Sequence, residues 1–204
     1  QDFRLSTLQT FNLFYMSFTD PQNNIDQFDL MSGMQVADLG AGIGAYAVVV
    51  AKKVGPDGKV NAVEVQRRFL DKIRQTAEME HLFNVKPIWG DVEKLGGSKL
   101  NDLSMDAVII SNVLFQLENK ENIVKEAHRI LKPNRKVLFI EWIDSAGGLG
   151  PKDDDVVYPD AAKKYFMNNG FDYEKDIYAG DNHYGMIFRK RTSETENKKL
   201  KMIN

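Results

Sequence analysis

The chain contains no cysteine. Disulfides, thiolate nucleophiles and cysteine-ligated metals are therefore outside its chemistry. It also lacks a strong charge of either sign: 27 Lys and Arg face 29 Asp and Glu, for a net charge of −2. No broad field draws it to nucleic acid or to an anionic membrane, and no basic stripe is visible. Long hydrophobic runs are missing too. The longest, from Ala45 to Ala51, falls far short of the roughly 20 residues that a membrane helix needs. Gln1-Asp2-Phe3-Arg4 is no basic stretch leading into an apolar core, so no secretory leader is expected and the cytoplasm is the expected compartment. No internal repeat is present.

What remains is ample for one core: 204 residues, of which 43% are hydrophobic. One domain is the expectation at this length. Residues 1–30 form an N-terminal segment whose first 20 residues are rich in aromatics (Phe3, Phe11, Phe14, Tyr15, Phe18), with Phe11, Phe14 or Tyr15, and Phe18 at helical spacing. They read as a helix packed on the core or as a lid over a cleft. Asp20-Pro21 and Asn23-Asn24 punctuate the chain after them. From Met34, strands and helices alternate. Strands are predicted at 34–39, 59–65, 85–89, 105–111 and 136–142, and helices at 45–53, 67–80 and 120–131. Lys132-Pro133-Asn134 reads as a helix stop. The last third departs from this rhythm. A loop from Asp144 to Asp155 leads to a helix, Pro159 to Asn168, then to two strands around Gly180-Asp181-Asn182 that read as an antiparallel hairpin. Residues 31–190 form the main domain, and 191–204 a polar tail. The fold class is α/β: a Rossmann-like, doubly wound, mostly parallel seven-stranded sheet with a C-terminal antiparallel hairpin.

Parallel strands joined by right-handed crossovers bring their C-terminal ends to one rim. Asp38, Glu64, Asp91, Ser111 and Glu141 all fall at or just after those ends. Gly40, Gly42 and Gly44 follow the first strand. They remove Cβ atoms where the backbone turns and where a ligand approaches it. The glycine pattern alone also fits a dinucleotide site. Asp38 separates the two readings. A carboxylate ahead of the turn suits a ligand with a positive amine, as in S-adenosylmethionine (SAM), whereas an ordinary turn-capping acid is the plain alternative. Glu64 at the second strand end is placed to accept from ribose hydroxyls, and Val65 offers an apolar face to adenine. Asp91 is placed to accept from the adenine amino group and the Val92 N–H to donate to the ring; an N-cap is the rival role for Asp91.

These residues carry a family resemblance. Asp38-Leu39-Gly40-Ala41-Gly42-Ile43-Gly44, Ala62-Val63-Glu64-Val65, Gly90-Asp91-Val92, Ser111-Asn112-Val113-Leu114 and Ile130-Leu131-Lys132-Pro133 resemble the successive motifs of class I SAM-dependent methyltransferases. Among these the chain looks most like the UbiE-type enzymes of ubiquinone and menaquinone biosynthesis, in a short branch of that group. The resemblance implies that Asp38, Gly40, Ala41, Gly42 and Gly44 hold the methionine end of SAM. It implies Glu64 and Val65 at the ribose and adenine, Asp91 and Val92 at the adenine, and Ser111 and Asn112 beside the methionine. Two departures stand out. Asn134-Arg135 replaces a usual pair of glycines, which Asn tolerates. Phe115-Gln116 replaces a frequent His-His pair, which removes a candidate base.

Methyl transfer from a sulfonium asks the protein for alignment and exclusion of water. A base is needed only if the acceptor carries a proton at the reaction pH. His183, Tyr184 and Glu141 are the candidates, with Asp144 beside them; His183 leads on intrinsic pKa. No metal site is expected, since Asp153-Asp154-Asp155 lacks ligand spacing. The expected acceptor is a small molecule, quinone-like or otherwise aromatic, with S-adenosylhomocysteine (SAH) as product. RNA or protein as acceptor, a non-catalytic SAM-binding module and an NAD-dependent oxidoreductase are the alternatives. Oligomeric state is not legible.

Overall fold

The computed structural model describes residues 19–192. The aromatic segment before Thr19 and the tail after Thr192 lie outside the described residues, so the lid and tail expectations are not addressed by it.

Pro21–Asp26 forms a short helix, α1. The sequence reading has only punctuation there. Asp20 caps the helix by accepting from the Gln22 and Asn23 N–H groups, and Pro21 stands in its first turn. The residues taken as breakers thus start a helix. Then come β1 (Gln35–Leu39), α2 (Ala45–Val54), β2 (Lys59–Glu64), α3 (Arg67–Met79), β3 (Val85–Trp89) and β4 (Met105–Ser111). A 3-10 turn at Leu114–Gln116 leads to α4 (Lys120–Ile130) and β5 (Leu131–Trp142). The chain ends through α5 (Pro159–Asn168), β6 (Phe171–Tyr178) and β7 (His183–Lys190).

The seven strands make one sheet in the order β3-β2-β1-β4-β5-β7-β6. The pairs from β3 to β5 are parallel; β7 runs antiparallel to both β5 and β6. The C-terminal hairpin is therefore present, with its second strand inserted against β5. Two apolar layers cover the sheet. Val36, Ile109, Leu138 and Ile140 meet Ile25 of α1, Ala47 and Val50 of α2 and Ile73 of α3 on one face. Leu39, Val108, Ile110 and Phe139 meet Ile123 and Ala127 of α4 and Phe166 of α5 on the other. Alternation along each central strand sends neighbouring apolar side chains to opposite layers.

The largest boundary difference from expectation is at β5; the other predicted elements shift by two residues at most. β5 begins at Leu131, five residues earlier than the predicted Lys136, because Leu131 pairs with Met105 before the ladder is interrupted. Residues 132–135 bulge opposite Asp106, with Asn134 left-handed at φ 65°. Asp106 pins the bulge by taking Lys132 Nζ at 2.8 Å and the Arg135 guanidinium at 3.6 Å. The stop signal is real, but it marks a bulge within a strand.

Among the described residues no helix is long and apolar enough to cross a membrane. Strand order reverses between β1 and β4, and a crevice opens there beyond the strand ends.

Candidate functional site

The crevice is a cleft of about 420 Å³. It is walled by the turn after β1, the ends of β2 and β3, and the stretch from Ser111 to Leu117. Asp38, Gly40, Ala41, Gly42, Glu64, Val65, Asp91, Val92, Ser111 and Asn112 all line it. Gly44 stands behind the wall. It begins α2 at φ 86°, and a Cβ on it would lie 2.8 Å from Ile73 Cγ1 of α3. Its bareness lets the two helices approach each other.

The turn is shaped from both sides. Gly40 is left-handed at φ 78°, and a Cβ there would lie 2.5 Å from Val113 Cγ2. Gly42 has open space in front of its Cα. Its N–H donates to Glu64 Oε2 at 2.9 Å, while Glu64 Oε1 accepts from the Gln66 N–H at 2.8 Å. Glu64 thus ties the turn to the end of β2. Remaining lone pairs on each oxygen are available at the cleft.

Asp38 is almost fully buried, and its Oδ2 has no hydrogen-bond partner among the described residues. Burial, and then the Glu64 carboxylate, push it up to about 7, against the Ala47 N–H. An unsatisfied buried carboxylate oxygen is costly. Asn112, which lines the same cleft, carries a second acceptor, Oδ1, that has no partner among the described residues. It sits in the left-handed region at φ 56°. Two such acceptors at the β1 and β4 ends, in a cleft also lined by Glu64, Asp91 and Glu93, fit a ligand that brings N–H donors and positive charge. That is the chemistry of the SAM ammonium. Asp91 lies at the far side. It accepts from the Glu93 N–H and pairs with Lys94 at 2.9 Å, which holds its carboxyl below the usual range.

Sequence reasoning missed several wall residues. Tyr46, in the first turn of α2, accepts from Asn24 Nδ2 at 2.7 Å and lies 3.3 Å from Thr19 Oγ1, so it joins the cleft to α1. Arg68, Phe69 and Gln116 also line the space. Tyr46 had a legible signal: a polar aromatic in the first turn after the glycines.

His183, Tyr184 and Glu141 are neighbours at the ends of β7 and β5, where Glu141 pairs with Tyr184 and Trp142 with His183. None is among the residues lining the cleft. The Tyr184 hydroxyl donates to the Val157 carbonyl at 2.5 Å, and burial raises its pKa. The His183 ring packs 4.2 Å from that of Trp142. Glu141 is fully buried, and burial raises it to about 7 against its backbone hydrogen bonds. Asp144 is exposed and accepts from the Ala146 N–H at 2.7 Å. Among the described residues, no group of three or more acidic or histidine side chains gathers as a metal site.

The family model described as a methyltransferase domain matches residues 30–156. An arsenite methyltransferase of Aquipseudomonas alcaligenes is 31% identical over 150 residues, covering 71% of this chain and 43% of that protein. A demethylmenaquinone methyltransferase of a Geobacillus species is 25% identical over 120 residues, covering 59% of this chain and 50% of that protein. The chain thus spans half or less of these relatives' length. A SAM-dependent methyltransferase from Aquifex aeolicus shares the fold with a TM-score of 0.78 at 23% identity, over 86% of this chain and 92% of that one. With a family match over most of the chain, on the residues that build the cleft, the chain belongs to the methyltransferase-domain family, as a class I, UbiE-like SAM-dependent methyltransferase domain.

Proposed function

We propose that this chain transfers the methyl group of SAM to an organic small molecule, quinone-like or otherwise aromatic. The observation that carries the reading is the unpartnered, buried Asp38 oxygen at the strand-order switch. A cationic amine satisfies that oxygen and keeps Asp38 charged. In this reading Asp38 and Asn112 hold the amine, with Ser111 beside them. Gly40, Ala41 and Gly42 admit the methionine end close to the backbone. Glu64 takes the ribose while still fixing Gly42, Val65 lies against the adenine, and Asp91 and Val92 recognise its edge. Gly44 serves by seating α2.

SAM supplies a methyl group already activated on a sulfonium, so no protein nucleophile is required. The residues of the cleft bind, orient and exclude water, which is enough to account for a large share of rate enhancement. His183, packed on Trp142 and outside the cleft lining, is the candidate base left for an acceptor that keeps its proton and reaches the β7 end of the rim. Tyr184 is committed to Val157, and Glu141 to the backbone.

Relatives named for arsenite and for demethylmenaquinone leave two acceptor classes. Trivalent arsenic is a soft centre of the kind that thiolates hold, and this chain has no cysteine. That favours the organic acceptor. Titration calorimetry with SAM and SAH tests the cofactor; absence of binding by either at high micromolar concentration overturns it. Methyl-labelled SAM is then offered with a demethylated quinone, with arsenite, and with total RNA and protein. Label is expected in the quinone or another organic extract; label confined to arsenite or to macromolecules overturns the acceptor class.

A further inference from the structure

We infer that Glu141 is a positioning residue of the cleft: its carboxylate holds the backbone of residues 113–115, and through Val113 it holds the glycine turn. Its use for SAM rests on the reading above; the mechanical part does not.

Glu141 closes β5 with no exposure to solvent. Its Oε1 accepts from the Trp142 N–H at 3.0 Å and its Oε2 from the Phe115 N–H at 3.4 Å. The Val113 and Leu114 N–H groups also favour the charged form of the carboxylate. These three consecutive residues lead into the 3-10 turn Leu114–Gln116. Such successive N–H groups are orphans without an external acceptor, and they favour an anion. A buried carboxylate so placed takes the Phe115 N–H directly, draws its two neighbours toward the charge and so fixes where the segment lies.

That segment gives the cleft Val113 and leads on to Gln116 and Leu117, which also line it. Val113 bears directly on Gly40, as the 2.5 Å between its Cγ2 and a Cβ built there shows. Gly40 and Ala41 in turn bond the Val63 carbonyl at 2.9 and 3.0 Å. The sequence Glu141, backbone 113–115, Val113, Gly40 therefore runs from the end of β5 to the turn after β1. Glu141 touches no cleft space itself and has both oxygens on backbone N–H groups, so it acts through these neighbours and is no base.

The test uses the 204-residue chain as wild type, Glu141→Gln and Phe139→Leu, the last a core change on the same strand. Amide hydrogen exchange is read at residues 112–117, and SAH affinity by calorimetry. Expected for Glu141→Gln is a cooperative melt, exchange at 113–115 at least tenfold faster, and at least tenfold weaker SAH binding. Phe139→Leu lowers the melting temperature and leaves both readouts within twofold. Wild-type protection and affinity in Glu141→Gln overturn the inference, as does an equal loss in Phe139→Leu. Should Glu141→Gln fail to fold, Val113→Ala decides: its SAH affinity falls severalfold with Glu141 intact, and an unchanged affinity overturns the inference. A wild type that binds no SAH removes the cofactor reading alone, because hydrogen exchange still reports on Glu141.

Discussion

Asp38 and Glu141 make an instructive pair. Both are carboxylates at the ends of central parallel strands, both are buried, and burial carries both up to about 7. Their surroundings differ. Asp38 keeps an oxygen with no partner among the described residues and faces the cleft. Glu141 spends both oxygens on backbone N–H groups and faces a loop. Burial and a raised pKa therefore do not separate a ligand-binding carboxylate from a scaffold carboxylate. The unsatisfied atom does, since only that one leaves a debt for a ligand to settle.

The sharpest way to break this contrast is to neutralise each acid. Asp38→Asn is expected to weaken SAH binding by several hundredfold, ~3–4 kcal/mol. The same change raises the melting temperature of the free protein at pH 8, because no partnerless charge is then buried. Glu141→Gln also weakens binding but lowers the melting temperature, since one of the two oxygens becomes an NH2 donor set against a backbone N–H that the carboxylate accepted. Calorimetry and thermal melts on both variants check the opposite signs; a destabilised Asp38→Asn would erase the distinction.

The second prediction concerns pH. Each carboxyl binds its proton more tightly in the folded chain than in the unfolded one. Their contribution to stability is therefore complete below about pH 4 and is lost as the pH rises through about 7. The loss is expected to be on the order of 3–4 kcal/mol for each. SAH affinity moves the other way and strengthens as pH rises through 7, with a proton released from Asp38 on binding. Calorimetry in buffers of different ionisation enthalpy counts that proton, and Asp38→Asn should release none.

Gly40→Ala comes next. The left-handed backbone and the crowding against Val113 together are expected to cost about 2 kcal/mol of stability. Val113→Ala in the same chain should return the crowding part, and additive losses would show that the two residues do not press on each other. The smallest effect is expected from Glu64→Gln. One acceptor survives for Gly42 or Gln66, so SAH affinity falls about fivefold, ~1 kcal/mol; a loss as large as that of Asp38→Asn would make Glu64 the dominant anchor.

Much of the cleft was legible because strand ends in a parallel α/β sheet share one rim. Asp38, Glu64, Asp91 and Ser111 could be gathered from periodicity alone, before any distance was known. The limits are equally physical. Nothing in the sequence distinguishes Gly44, which packs against Ile73, from Gly42, which faces open space. Lys132-Pro133-Asn134 reads as a stop whether the chain leaves the sheet or bulges within it. Asp20-Pro21 reads as a break or as a cap with an N1 proline, and tertiary burial of Asn24 and Ile25 decides for the helix.

The sequence by itself determined the alternation of strands and helices, the hairpin at the end and the rim of polar residues, because side-chain period and turn chemistry are local. Only the tertiary structure decided what each rim residue does. Whether a carboxylate is satisfied depends on which backbone N–H groups come within about 3 Å of it, and those belong to segments far away in the chain. That is why Asp38 and Glu141, alike as residues at strand ends, part company only once the sheet is assembled.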